Sequence, residues 1–261
     1  MSRRTVAIAV LVLALGRGPA YGEPTEVDPD RPSVANSART VPPRAVQLET
    51  GFEYSRTSTA GTPRERRFVV DALARIGVLD RLEVDLDIEP IVRLRGAEDD
   101  TGVGDLTLGL KYRAFDAPEG TAWPTLGVQP FVKLPTADEP IGSGRPDFGV
   151  IGLASFALPA GLALDVNAGV AAIGQGRPSG YLVQALVATA LAWEIGAAAP
   201  FVEVFYASRD ERDGRDAVSV DVGIVYKVTK RLALDAAIET TLAGRGPDWA
   251  MRAGLSVRFG K

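Results

Sequence analysis

Residues Leu82-Glu83-Val84-Asp85-Leu86-Asp87-Ile88-Glu89 alternate apolar and acidic without a break. A period of two gives an extended strand one face of each kind, whereas a helix would scatter both kinds around its circumference. The alternation returns along the chain with its apolar face always intact, so each strand separates an apolar medium from water. Lipid outside and a water-filled, acidic lumen inside satisfy that pattern. Beyond the N-terminal run, no segment supplies the roughly 18 apolar residues of a membrane helix; the apolar stretch 185–192 is soon broken by Glu194. A chain of this kind crosses a bilayer as a closed barrel, because closure alone satisfies every strand-edge backbone group in lipid.

The alternation predicts an all-β, closed antiparallel transmembrane β-barrel of about twelve strands in an up-and-down meander. The strands are expected near 44–55, 67–77, 82–89, 104–115, 123–134, 147–158, 162–173, 181–193, 200–208, 217–228, 232–243 and 249–259. Their lengths match those of tilted strands crossing a bilayer. Pro130 is awkward in the fifth, because it cannot donate to a ladder. Tight turns at 78–81, 159–161 and 229–231 alternate with longer, charged loops at 56–65, 93–103, 135–146 and 208–215, the short-turn, long-loop arrangement of outer-membrane barrels. Aromatic residues such as Phe52, Tyr54, Trp123, Trp193, Tyr226 and Trp249 gather near the strand ends on the outward face, as interface girdles do.

The N-terminus carries Arg3 and Arg4, an apolar run from Val6 to Leu15, and small residues ending at Gly22, so 1–22 reads as a secretory signal peptide. Residues 23–43, rich in Pro, Asp, Arg and Ser without periodicity, read as a flexible periplasmic leader able to act as a tether or to enter the lumen as a plug. Residues 44–261 form the barrel. Twenty-nine basic against 33 acidic residues leave a net charge of -4, too balanced for a nucleic-acid partner. The chain has no cysteine and no histidine, which removes disulfides, Cys-ligated metals and Ser-His catalysis. The residues point to no enzyme, cofactor or metal site; paired carboxylates such as Asp85 and Asp87 are explained by lumen solvation.

The run Gly104-Asp105-Leu106-Thr107-Leu108-Gly109-Leu110-Lys111-Tyr112-Arg113, followed by Phe131-Val132-Lys133-Leu134-Pro135-Thr136 and by Gly142-Ser143-Gly144, resembles the family of outer-membrane transporters associated with the meta-pathway of phenol degradation. The phrase Gly77-Val78-Leu79-Asp80-Arg81-Leu82-Glu83-Val84 is similar to the same family, and Thr136-Ala137-Asp138 stands where that family favours Thr-Gly-Asp. Phe259, followed by Gly260 and Lys261, resembles the aromatic end of the signal read by the outer-membrane assembly machinery. The resemblance implies a multi-pass barrel in the bacterial outer membrane, in contact with outer-membrane lipid. Its implied role is a channel for passive uptake of small-molecule solutes, including hydrophobic or aromatic ones.

Strand parity places Glu49, Glu53, Asp71, Glu83, Asp85, Asp87, Glu89, Asp105, Asp165, Glu203, Asp221, Asp235 and Glu239 in the lumen. It places Arg75, Lys111, Arg113, Lys133, Arg252 and Arg258 there too, with Arg93 among the further bases. Pairing of the third and fourth strands brings Glu83 and Asp85 near Arg113 and Lys111; closure of the last strand on the first brings Arg258 and Arg252 toward Glu49 and Glu53. Asp85, Asp87 and Glu89 form an acidic ladder for a cation-preferring pore. Phe131, Phe201 and Phe205 point inward as candidate substrate contacts. The alternative is a structural or stress-related barrel whose lumen is closed by ion pairs.

Overall fold

The computed structural model describes residues 26–58, 61, 63–96, 99–176 and 178–260; the signal-peptide reading of 1–22 lies outside them. The wall consists of β1 (Val46–Thr57), β2 (Glu65–Leu79), β3 (Leu82–Arg95), β4 (Asp100–Gly102), β5 (Leu106–Phe115), β6 (Thr125–Leu134), β7 (Asp147–Ala157), β8 (Leu162–Gln175), β9 (Gly180–Trp193), β10 (Ala198–Ala207), β11 (Ala217–Thr229), β12 (Leu232–Gly244) and β13 (Trp249–Phe259). Each pairs antiparallel with its neighbour, and β13 returns to β1 from Val46↔Phe259 to Arg56↔Trp249. β4 and β5 both pair with β3, β4 along Val92–Leu94 and β5 along Leu82–Ile88, and together act as one interrupted wall strand. The result is a closed twelve-strand meander, the architecture of a multi-pass outer-membrane barrel.

Burial is inverted relative to a water-soluble fold. The largest fully buried side chains are Arg75, Lys111, Gln47, Glu49, Glu83 and Glu203, whereas Val183, Ile238, Leu242 and Val222 stand exposed on the outside. A soluble sandwich would bury that apolar face between its sheets; here it is the surface that meets lipid. Aromatics ring both ends. At the long-loop end Phe52 stacks on Phe68 with centroids 6.3 Å apart, Tyr54 lies 5.5 Å from Trp249, and Phe148 lies 6.0 Å from Tyr181. At the other end Phe115, Trp123, Trp193, Tyr226 and Phe259 are exposed.

Two departures from strict alternation matter. The stretch 93–103, expected as a loop, contributes the end of β3 and all of β4. The β2–β3 register also shifts between Val70 and Ala72, where Asp71 lies opposite Glu89 and Pro90. A bulge of this kind changes which residues face inward beyond it. Val92 is therefore fully buried and Arg93 is exposed, paired with the outward Phe68, so Arg93 is not a lumen base. Pro90 sits at the bulge, where the missing N–H is harmless. Pro130 stays within β6, and its ladder to β7 is continuous. On the β5 side the pairing skips from Gly109↔Phe131 to Tyr112↔Val128 in unchanged register, an interruption left by the absent donor.

Candidate functional site

The lumen is built from inward positions on every wall strand, and residues 26–43 run inside it. The segment enters beside the short turns: Val27 N–H donates to the Lys230 carbonyl at 2.8 Å, and Glu26 faces Lys227 at 3.4 Å. It climbs to mid-height and returns, ending with Arg44 N–H donating to the Gly77 carbonyl at 2.9 Å. Val27, Ala35, Ala38, Thr40 and Val41 are buried by the surrounding wall. A segment with no sheet partner must place its backbone N–H groups elsewhere, and here wall side chains accept them. Glu203 on β10 takes the N–H groups of Val34 at 2.8 Å and Ala35 at 2.6 Å. Glu83 on β3 takes that of Val41, Glu49 on β1 those of Asp30 and Arg31, and Asn167 on β8 that of Asn36 at 2.7 Å.

The densest charge cluster lies in the lower half. Arg75 reaches Glu83 at 2.8 Å, Glu49 at 3.1 Å and Asp30 at 3.4 Å, and Lys111 lies 3.4 Å from Glu83 while also bonding Asp30. Every member of this cluster is buried. The acids of β3 do approach the bases of β5, but one step out of the expected order: Glu83 lies directly opposite Lys111, and Asp85 lies opposite Gly109 and accepts from Gln129 at 2.8 Å. Arg113 instead turns to Asp116 at 3.2 Å and donates to the Asp80 carbonyl at 2.6 Å. Arg39, inside the leader, has its pKa raised above the ordinary arginine value chiefly by Asp28, 3.1 Å away.

At mid-height the leader's Arg31 bridges Asp71 and Asp235. Its guanidinium lies over Gly51 and Gly254, directly opposite one another where β1 meets β13; a Cβ on either would collide with it. Ser155 accepts the Ala38 N–H at 2.8 Å and bonds Asp165. Phe205 packs with Val34 of the leader against the buried cluster of Ala35, Ala188 and Ala190. Phe131 and Phe201 are half-buried and lie over Gly149 and Gly223. Of the three aromatic candidates, one thus supports the leader and two line the wall over glycines.

Above the leader, Arg252 binds Glu53 at 2.9 Å, Asp221 at 2.7 Å and also Glu239. Arg67 holds Glu89 at 2.6 Å, and Lys133 bridges Asp105 and Asp147 at 2.9 Å each. The Arg252–Glu53 closure contact follows the expected register, whereas Glu49 meets Ser256 and Arg258 meets Gln47, with Arg258 donating to the Glu26 carbonyl at 2.8 Å. Of Asp85, Asp87 and Glu89, only Asp87 stays exposed in the lumen. Among the described residues no cluster of carboxylates has the arrangement of a metal site. Outside the wall strands, Asp216 is held below the usual carboxylate range chiefly by the Tyr206 hydroxyl, which donates to it at 2.7 Å.

Strand parity also turns Gln47, Gln129 and Asn167 inward, but as uncharged residues they carry no signal of a binding role, and neither does Ser155. Asp30 and Arg31 escaped the sequence reading because their segment has no periodicity. The available signal was an inward set richer in acids than in bases, which leaves acceptors needing donors from elsewhere.

A family model described as "Putative MetA-pathway of phenol degradation" matches residues 29–259. Among solved structures, an outer membrane channel from Pseudomonas putida F1 is similar at 17% identity, covering 90% of this chain and 100% of that one, with a TM-score of 0.72. The NanC porin is similar at 9% identity over 81% of this chain and 98% of that one, TM-score 0.53. The β domain of the Bordetella autotransporter BrkA matches at 11% identity over 82% and 98%, TM-score 0.52. At such identities these likenesses speak for the fold alone. No curated relative matches the sequence.

Proposed function

Since the chain belongs to the family of the putative MetA-pathway of phenol degradation, we propose that it is an outer-membrane channel for passive passage of small solutes. In this reading residues 26–43 act as an internal constriction. The observation that carries it is the inverted burial: a closed wall with an apolar outside encloses a polar interior in which Asp87 is left exposed, a surface that suits water and solutes. The family's description makes phenolic and related aromatic compounds the first solutes to test. Phe131 and Phe201 offer them apolar surface beside polar groups. Insertion through the outer-membrane assembly machinery fits the aromatic Phe259 near the C-terminus. No reaction is part of this reading.

A second reading, a structural barrel with a closed lumen, is favoured by one specific observation: Arg75 is enclosed by Glu49, Glu83 and Asp30, so that wall and leader are stapled together. Planar-bilayer recording of the purified full chain across a salt gradient separates the two. Discrete conductance steps, attenuated by phenol added to the long-loop side, support the channel. Silence from protein whose heat-dependent gel mobility shows it folded supports the closed barrel.

A further inference from the structure

Arg56 on β1 lies directly opposite Arg66 on β2, and Arg66 lies directly opposite Arg95 on β3. Parity puts all three on the outside of the barrel, and Arg93 joins them from the next outward position of β3, beside Phe68. With neighbouring strands about 5 Å apart, the row places three guanidinium groups within roughly 10 Å. Like charges directly opposite one another destabilise a sheet, and the local relief is confined to Arg95, which donates to the Leu94 carbonyl at 2.8 Å and the Asp100 carbonyl at 3.4 Å. Among the described residues no carboxylate pairs with Arg56, Arg66 or Arg93, and the one carboxylate that Arg95 reaches is Asp99, at 4.0 Å.

The height of the row identifies what covers it. On β1 the outward order is Phe52, Tyr54, Arg56, and on β2 it is Val70, Phe68, Arg66. The row thus sits one outward step beyond Tyr54 and Phe68 and level with Trp249, which lies directly opposite Arg56, while Arg93 is level with Phe68. Such rings mark the level where acyl chains give way to headgroups. The end concerned is that of the long loops, which in outer-membrane barrels faces the cell exterior. We propose that Arg56, Arg66, Arg93 and Arg95 form a docking site for the phosphorylated headgroup of an outer-leaflet glycolipid. Its phosphates bridge neighbouring guanidinium groups with charge-assisted, two-pronged hydrogen bonds. The site rests on the outer-membrane reading for the leaflet it meets and is independent of whether the lumen conducts.

The test uses the full chain in detergent, mixed with diphosphorylated lipid A, with its enzymatically dephosphorylated form, or with inorganic phosphate alone, read by native mass spectrometry and by thermal unfolding. The wild type is expected to retain diphosphorylated lipid A and to unfold at higher temperature with it. The R56Q/R66Q/R95Q variant is expected to retain about tenfold less. Without lipid its unfolding temperature is expected to equal or exceed that of the wild type, since the repulsion is gone. Equal retention of lipid A by wild type and variant overturns the proposal. So does equal retention of the dephosphorylated lipid by the wild type, or stabilisation by inorganic phosphate as large as that by lipid A. Should the triple variant not fold, R66Q alone, at the centre of the row, serves for the same comparison. Conductance is recorded on the same samples, so failure of the channel reading is scored separately.

Discussion

Glu203 holds the turning point of the leader with two hydrogen bonds to backbone N–H groups, those of Val34 and Ala35. Hydrogen bonds to a charged group contribute about 1.5–3 kcal/mol each. Glu203→Ala removes both, but it also relieves the cost of keeping a carboxylate out of water, which offsets part of the loss. The net weakening of leader docking is then about 2–3 kcal/mol, or roughly a 30- to 150-fold larger undocked fraction. The chain has no cysteine, so Ala35→Cys supplies the sole thiol. Ala35 is only 3% exposed, and its labelling by a water-soluble maleimide requires the leader to leave its place. In the slow-labelling limit the rate follows the undocked fraction. A35C/E203A is expected to label at least about 30-fold faster than A35C, with A35C/E203Q between them because the amide keeps one acceptor oxygen. Rates within about threefold of each other would refute the argument that Glu203 anchors the leader.

Asp87 is the one carboxylate of its strand left exposed in the lumen, so Asp87→Asn is expected to move the reversal potential of the channel toward anions. Arg67→Gln, which unpairs Glu89, is expected to move it toward cations, and an unchanged potential in both sinks the assignment of this level as the selective one. Pro130→Val restores a ladder donor opposite β5 and is expected to stabilise the barrel by about 1 kcal/mol in urea unfolding. A lower midpoint would mean that the interruption is not a hydrogen-bonding defect.

The outer face could be read from sequence because lipid imposes a single demand on it, so period two survives along β3 as far as Ile88 and along most of β11 and β12, and locates the strands. Arg93 shows the limit of that rule. Parity counted from Glu89 puts it inside, but the one extra residue opposite Asp71 shifts the phase, and nothing in Glu89-Pro90 except the proline marks the spot. Lumen contacts were legible where both partners lie on adjacent strands in simple register, as for Arg252 with Glu53. They were illegible where the partner comes from the leader, as for Arg75 with Asp30 or Asp71 with Arg31. The arginine row needed the register of three strands at once, since Arg56, Arg66 and Arg95 are unremarkable until they are placed opposite one another.

The acids of the lumen divide by what they hold. Glu49, Glu83 and Glu203 sit on three strands, are fully buried, and each accepts backbone N–H groups from a segment that has no strand to pair with. Their role is the one a neighbouring strand would play, and their charge is matched at close range by Arg75 and Lys111 or by the leader's own amides. An ion crossing the lumen meets little of that charge. Asp87 is left exposed in the lumen, where its field is felt by whatever passes. Neutralising the first group should therefore change how often the leader is undocked without changing which ions pass, and neutralising Asp87 should do the reverse. That separation follows from burial and partners alone, although the four residues look interchangeable in the sequence, each an acid alternating with apolar neighbours.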